Sequence, residues 1–168
     1  MQGEYARGQM SAVYGGIAMA RIYIAEDDSD IRQIISFCFL DDGHEVSALK
    51  DGEAAWEQLL SHTPDLLILD LMMPGMDGLE ILASMNSWGI RDATRVVVVT
   101  AKASDAVQDE VRNAGADRMI TKPFDPDRLT EIAKEVLATP LEDLAIEREA
   151  RRDKTDLLTQ LETLLGDV

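Results

Sequence analysis

A chain of 168 residues, 46% of them apolar, is long enough for one compact domain and an appendage. Its 32 acidic residues against 16 basic ones give a formal charge of −16, which argues against the basic face a nucleic-acid surface needs. No apolar run approaches about 20 residues, so no membrane-spanning helix is expected. The single cysteine, Cys38, excludes an intramolecular disulfide; its apolar helical surroundings predict a buried thiol, and a reducing cytoplasmic setting fits.

Residues 1–20 carry Gly3, Gly8, Gly15 and Gly16 without a sustained period and lack the features of a secretory signal. They read as a flexible N-terminal segment, with Met19 as a possible start. From Arg21 to Ala138 strand and helix patterns alternate. The predicted strands are Ile22–Ala25, Glu45–Ala48, Leu66–Leu69, Arg95–Thr100 and Arg118–Thr121, and Val96-Val97-Val98-Val99 is a β-branched run suited to a strand buried on both faces. Between them lie amphipathic helices. Ile31, Ile34, Ile35, Cys38 and Phe39 share one face of the first, Ala54, Ala55, Leu59 and Leu60 of the second, and Leu79, Leu82 and Met85 of the third. Ala106, Val107, Val111 and Ala114 mark the fourth, and Leu129, Ile132, Ala133 and Val136 the fifth. Ser29, Asp51, Asp77, Ser104 and Asp125 stand before these helices as caps, Pro126 suits a first turn, and Gly43 and Gly115 suit helix ends. Five βα units in this order predict an α/β fold, a doubly wound five-stranded parallel sheet with helices on both faces over residues 21–138.

In such a sheet a ligand lies outside the carboxyl ends of the strands. The first predicted strand ends in Glu26-Asp27-Asp28, the third in Asp70, the fourth in Thr100 and the fifth in Lys122-Pro123. Carboxylates gathered on one rim repel one another and attract a hard cation such as Mg²⁺, a lysine and a hydroxyl beside them bind an anion, and a carboxylate facing a phosphoryl group is a possible nucleophile. Asp28 reads as a loop or cap residue and not as a ligand.

Five segments then carry a resemblance. They are Ile22-Tyr23-Ile24-Ala25-Glu26-Asp27-Asp28, the run from Asp65 through Asp70 to Pro74-Gly75-Met76-Asp77-Gly78, Val97-Val98-Val99-Thr100-Ala101, Gly115-Ala116-Asp117 and Lys122-Pro123-Phe124. In this order and spacing the chain from about Arg21 to Leu137 resembles the receiver domain of two-component response regulators. The resemblance implies a flavodoxin-like fold and makes Asp70 the phosphoacceptor. It makes Asp27 a direct Mg²⁺ ligand, Glu26 one acting through water, and Met72 a contributor of its backbone carbonyl. Thr100 would be the switch hydroxyl, with Ala101 beside it, Lys122 would pair with the phosphoryl oxygens, and the Lys122–Pro123 bond would be cis. The phosphodonor would be a histidine kinase or a phosphotransfer protein.

The chain departs from the family in two places. Met119 stands three residues before the lysine, where Tyr, Phe or His is usual, and Arg118 follows Gly115-Ala116-Asp117 where one large subgroup has a second Asp.

Residues 139–168 predict a helical tail. Thr139-Pro140-Leu141-Glu142 combines a capping box with Pro in the first turn. Leu141, Leu144 and Ala145 form one apolar patch and Leu157, Leu158, Leu161, Leu164 and Leu165 another, with the charged stretch 147–156 between them. A helix from Pro140 to Leu165 would run roughly 39 Å and needs a partner to persist. Three readings stay open: folding back on its own domain, docking to another protein, and a homodimer in which Leu157, Leu158, Leu161 and Leu165 pack across chains while 147–156 add charge complementarity.

The tail is too short for an output domain, so the sequence predicts a stand-alone phosphorylation switch acting through protein contacts. The alternative is the receiver portion of a larger regulator, transcriptional or in cyclic-dinucleotide signalling. An enzyme is not expected beyond weak self-dephosphorylation: an aspartate-nucleophile phosphatase needs a second Asp two residues after the first, and Met72 stands there.

Overall fold

The computed structural model describes residues 13–14 and 17–166. Most of the segment expected to be flexible, 1–12 and 15–16, lies outside the described residues. Val13–Tyr14 pairs antiparallel with Ile17–Ala18.

Five parallel strands form the main sheet: β1 Arg21–Ala25, β2 Glu45–Leu49, β3 Leu66–Leu69, β4 Arg95–Thr100 and β5 Arg118–Thr121, in the order β2-β1-β3-β4-β5. The helices are α1 Ser29–Asp41, α2 Gly52–Ser61, α3 Gly78–Ser87, α4 Asp105–Asn113, α5 Pro126–Ala138 and α6 Leu141–Leu165. Alternation along each strand separates two cores. Ile22, Ile24, Leu66, Ile68, Val97 and Val99 pack with Ile35 and Phe39 of α1 and Leu129, Ile132, Ala133 and Val136 of α5. Tyr23, Leu67, Leu69, Val96 and Val98 face Ala55 and Leu59 of α2, Ile81, Leu82 and Met85 of α3 and Val111 of α4. Every residue of β3 is buried, as a run of four apolar residues in the middle of a parallel sheet requires.

Caps explain most of the helix starts. Asp51, Asp77, Ser104 and Asp125 each accept a backbone N–H in the first turn, and Asp77 with Glu80 forms a complete capping box. At α1 the cap is Asp28, not Ser29: the Asp28 carboxylate accepts from Asp30 N and Ile31 N, because a carboxylate one residue earlier reaches the free donors that a serine inside the helix cannot. Cys38 is half-buried and Ile34 and Leu60 are exposed, so the apolar faces of α1 and α2 are narrower than their patterns predicted.

The tail differs from its expected start. No capping box forms at Thr139, because its hydroxyl donates backwards to Glu135 O of α5 at 2.8 Å, and Pro140 is the cap residue of a helix that begins at Leu141. α6 then folds back along the open edge of β5. Leu144 is fully buried in the α1/α5 core, and Arg148, Arg151 and Arg152 bond to residues of their own chain. Glu147 and the three arginines of the charged stretch expected to pair across chains are thus engaged in cis. Leu157, Leu158, Leu161, Leu164 and Leu165 remain exposed. Among the described residues no helix is long and apolar enough to cross a membrane.

Candidate functional site at the carboxyl rim of the sheet

Parallel register decides where the polar strand ends meet. Ala25 pairs with both Leu49 and Leu69, Leu69 with Val98, and Thr100 with Thr121, so the residues following β1, β3, β4 and β5 emerge on one rim. Glu26, Asp27 and Asp70 each bring a carboxylate oxygen within 4.8 Å of the other two. Glu26 and Asp70 are buried and Asp27 is exposed, giving a site closed from below and open on one side.

Lys122 enters from the end of β5. Its Nζ lies 3.1 Å from Asp70 Oδ2 and 2.6 Å from Glu26 Oε2. The Lys122–Pro123 bond is cis, and Lys122 N donates to Thr100 O at 2.8 Å, which extends the β4–β5 ladder to the rim. Thr100 is fully buried, and its Oγ1 accepts from Lys102 N at 3.2 Å across the exposed Ala101. Asp70 is held at both ends: its backbone N–H donates to Ala25 O at 3.0 Å and its Oδ1 accepts from Met72 N at 3.1 Å. Met72 itself is exposed, and Met119 is half-buried on β5. The rim therefore brings together Glu26, Asp27, Asp70, Thr100 and Lys122, with Met119 set back along the strand.

Charge follows from this burial. The Glu26 carboxyl is held above its ordinary range, first by burial and then by repulsion from Asp70, against the pull of Lys122 and of the Asp28 N–H. Burial pushes the Lys122 ammonium down, but its bonds to Glu26 and Asp70 outweigh this and raise it. Three carboxylates on one rim with a protonated lysine form an all-oxygen donor set with one anion-binding arm, which suits a hard divalent cation and an incoming phosphoryl group.

Some supporting residues carried no signal of their own. A Cβ at Gly78 would collide with the Asp70 carbonyl and lie 2.8 Å from Leu71 Cα, so α3 can start this close beneath the acid only with glycine there. Gly78 was legible as part of a motif but not as a packing requirement. The role of Asp117 was also not legible. It is fully buried, accepts from Val96 N at 2.8 Å and from Arg91 Nη2 at 3.1 Å, and meets Arg148 Nη1 at 3.0 Å. Arg91, in the α3–β4 connection and also buried, donates to the Thr94 and Gly115 carbonyls; burial pulls its pKa down to about 10.

A five-stranded parallel sheet in this order, with an acid cluster and a lysine after a cis peptide on its carboxyl rim, defines a phosphorylation-receiver architecture. The family model of the response regulator receiver domain matches residues 22–134, and the chain belongs to that family. It is 34% identical over 119 residues to the phosphate regulon transcriptional regulatory protein PhoB of Klebsiella pneumoniae, covering 70% of this chain and 51% of that one. It is 36% identical over 126 residues to the response regulator MprA of Mycobacterium ulcerans, covering 73% and 53%. The chain thus spans about half the length of these curated relatives. Among solved structures it resembles the chemotaxis protein CheY4 of Vibrio cholerae, with a TM-score of 0.66, 29% identity and coverage of 71% of this chain and 99% of that one. The receiver domain of the Francisella response regulator 1452 gives 0.65, 30%, 70% and 95%.

Proposed function

We propose that this receiver is a phosphorylation switch in which Asp70 takes a phosphoryl group from a phosphohistidine of a histidine kinase or phosphotransfer protein. The observation that carries the reading is Asp70 itself: it is the acid at the end of the central strand, flanked by two further carboxylates and contacted by Lys122 Nζ at 3.1 Å. In the transfer an Asp70 carboxylate oxygen forms the new P–O bond as the P–N bond to the donor imidazole breaks. The bonding pair returns to the imidazole, which picks up a proton from solvent.

The acid cluster fits Mg²⁺ as its resident cation, held by Asp27 and Asp70, with Glu26 acting through water and the Met72 carbonyl completing the protein's share. When bound, that ion supplies positive charge against an incoming group of about −1.5 to −2. Lys122, 3.1 Å from Asp70 Oδ2, supplies a further positive charge. The Thr100 hydroxyl, buried beside the rim, becomes a donor to the phosphoryl oxygens, with the Ala101 N–H next to it. Met119, flexible and lacking a polar handle, repacks in the place of the usual aromatic residue. A new charge and its hydrogen bonds at one rim bias a two-state element and change which proteins the surface binds.

The output of the switch, in this reading, is contact with other proteins, including a second copy through the leucines of distal α6. That the curated relatives are about twice as long, and that distal α6 projects unpacked leucines, favours a second reading as the receiver portion of a larger regulator.

Intact mass spectrometry after incubation with acetyl phosphate tests the assignment of Asp70. The expected result is gain of one phosphoryl group only when Mg²⁺ is present, and no gain in Asp70→Asn. Equal labelling of the Asp70→Asn protein overturns it.

A further inference from the structure

Positive charge is scarce in this chain, with 16 basic residues against 32 acidic ones, yet six arginines gather around the junction of α4, β5 and α6. Four of them share four carboxylates: Asp117 serves Arg91 and Arg148, Asp109 serves Arg112, and Glu135 and Glu147 serve Arg118. Arg151 and Arg152 have no carboxylate partner among the described residues and bond to backbone carbonyls instead. Arg151 is the least satisfied. Its Nε donates to Glu147 O at 3.1 Å and its Nη1 to Asp117 O at 3.2 Å, but its Nη2 is buried without an acceptor. A buried donor left unpaired costs stability. Burial first, and then repulsion from Arg118 and Arg112, lowers the pKa of Arg151 against the pull of Asp117 and Glu147. The same residue lines a cavity of about 230 Å³, together with Arg112, Arg118, Val111 and Met119. Asp117 also borders it, but is fully buried, with its carboxylate taken up by Arg91, Arg148 and the Val96 amide. Two of the walls are fixed. Asn86 Nδ2 donates to Ala114 O at 2.9 Å at the end of α4, where Val107 and Ala114 pack on the core, and Glu135 holds Arg118 at 2.8 Å.

We propose that this cavity is a binding site for a small dianion, inorganic phosphate or a short phosphomonoester, held between Arg112 of α4, Arg118 of β5 and Arg151 of α6. A phosphoryl group offers acceptors in several directions, and guanidinium forks meet them in pairs where a lysine presents a single point of charge. The Arg151 guanidinium turns to bring Nη2 to the ligand. Arg112, whose side chain bonds to the exposed Asp109, swings its remaining donors inward. Arg118 stays on its two glutamates and contributes charge. A volume of about 230 Å³ falls below the about 300–1,000 Å³ of pockets for drug-sized ligands, which limits the ligand to a phosphate with few carbon atoms. Val111 and Met119 suit that short carbon portion. The site uses no residue of the Asp70 rim, so it stands apart from the phosphoacceptor reading. It needs α6 in place to supply Arg151, so by linkage the anion favours the docked helix.

Amide ¹H–¹⁵N spectra of the full chain test the site. Inorganic phosphate and phosphoglycolate are titrated separately into Mg²⁺-free buffer at constant ionic strength, with sodium chloride as the control. Saturable shifts are expected at 116–119 and 148–152. Arg112→Gln and Arg151→Gln should each weaken binding about tenfold. Arg128→Gln, at an exposed arginine of α5 outside the cluster, should leave it unchanged. Tighter binding of phosphoglycolate assigns the site to a phosphomonoester, and equal or tighter binding of inorganic phosphate assigns it to the free ion. Absence of saturable shifts at 116–119 and 148–152 with both probes overturns the proposal, and so do shifts that chloride reproduces. If Arg151→Gln also releases α6, the exposed Arg112 decides: an unchanged affinity in Arg112→Gln overturns the site.

Discussion

Lys122 and Glu26, 96 positions apart in the chain, approach to 2.6 Å on the carboxyl rim, closer than the 3.1 Å that separates the same ammonium from Asp70. One lysine therefore holds two buried carboxylates, and its contribution is structural as well as chemical.

Replacing Lys122 with Ala should cost about 2 kcal/mol of unfolding free energy. That is below the cost of breaking a fully enclosed ion pair, because the lysine side chain keeps 15% exposure and the stranded acids can take up a proton. Since the folded-state pKa of Lys122 is raised, the stabilisation it brings is fully present below the ordinary lysine value of 10.5 and is lost as pH climbs through the folded value. Urea unfolding of wild type and Lys122→Ala at neutral and strongly alkaline pH measures this. A gap that stays constant into the alkaline range contradicts it.

Glu26 has the opposite consequence at neutral pH. Its folded-state pKa lies above the ordinary glutamate value of 4.5, so its ionisation costs the fold stability. The cost is absent well below 4.5, sets in as pH rises from there, and is complete above the raised folded value. Without divalent cations, Glu26→Gln should gain stability relative to wild type as pH rises from about 4 to 7. Added Mg²⁺ should stabilise the wild type by mass action and Glu26→Gln less. Unfolding titrations at several pH values check both, and a Glu26→Gln advantage that shrinks toward neutral pH refutes the argument.

Arg91 and Asp117 form an ion pair with side-chain exposures of 4% and 0%. Removing one partner strands a buried charge, so Arg91→Met should cost about 3–5 kcal/mol. In a double-mutant cycle with Asp117→Asn, measured by urea unfolding, the coupling should exceed about 1 kcal/mol. Single variants within about 0.5 kcal/mol of wild type would show that the pair is dispensable.

The exposed leucines of distal α6 are the expected contact between copies. Each could contribute about 1.5–3 kcal/mol on burial, so a few pairs can offset the entropy of association. Light scattering on the full chain at tens of micromolar should give a dimer that Leu161→Asp/Leu165→Asp reduces to a monomer. A wild type that is monomeric with Asp70 phosphorylated or not removes the homodimer and leaves distal α6 to another partner.

The sheet and the chemistry of its rim were legible in the chain because both depend on local pattern. Short apolar runs such as Leu66–Leu69 and Val96–Val99, bounded by turn residues or β-branched throughout, read as buried strands, and a polar residue after each must emerge at the same end once the strands run parallel. Glu26, Asp27, Asp70, Thr100 and Lys122 follow from that pattern as neighbours on one rim. Tertiary structure alone decided that Lys122 serves Glu26 as much as Asp70, that burial more than repulsion raises the Glu26 pKa, and that Gly78 is needed beneath the Asp70 carbonyl. It also decided the fate of the tail. The charged stretch 147–156 suits a face toward another chain as well as one toward its own domain, and a helical pattern does not say which surface a helix meets. The choice came from Asp117, a buried acid at the open edge of β5 whose second oxygen no residue of the receiver's own core reaches, and which α6 satisfies. Burial of a charge demands a partner, and the identity of that partner is a property of the folded neighbourhood and not of the local sequence.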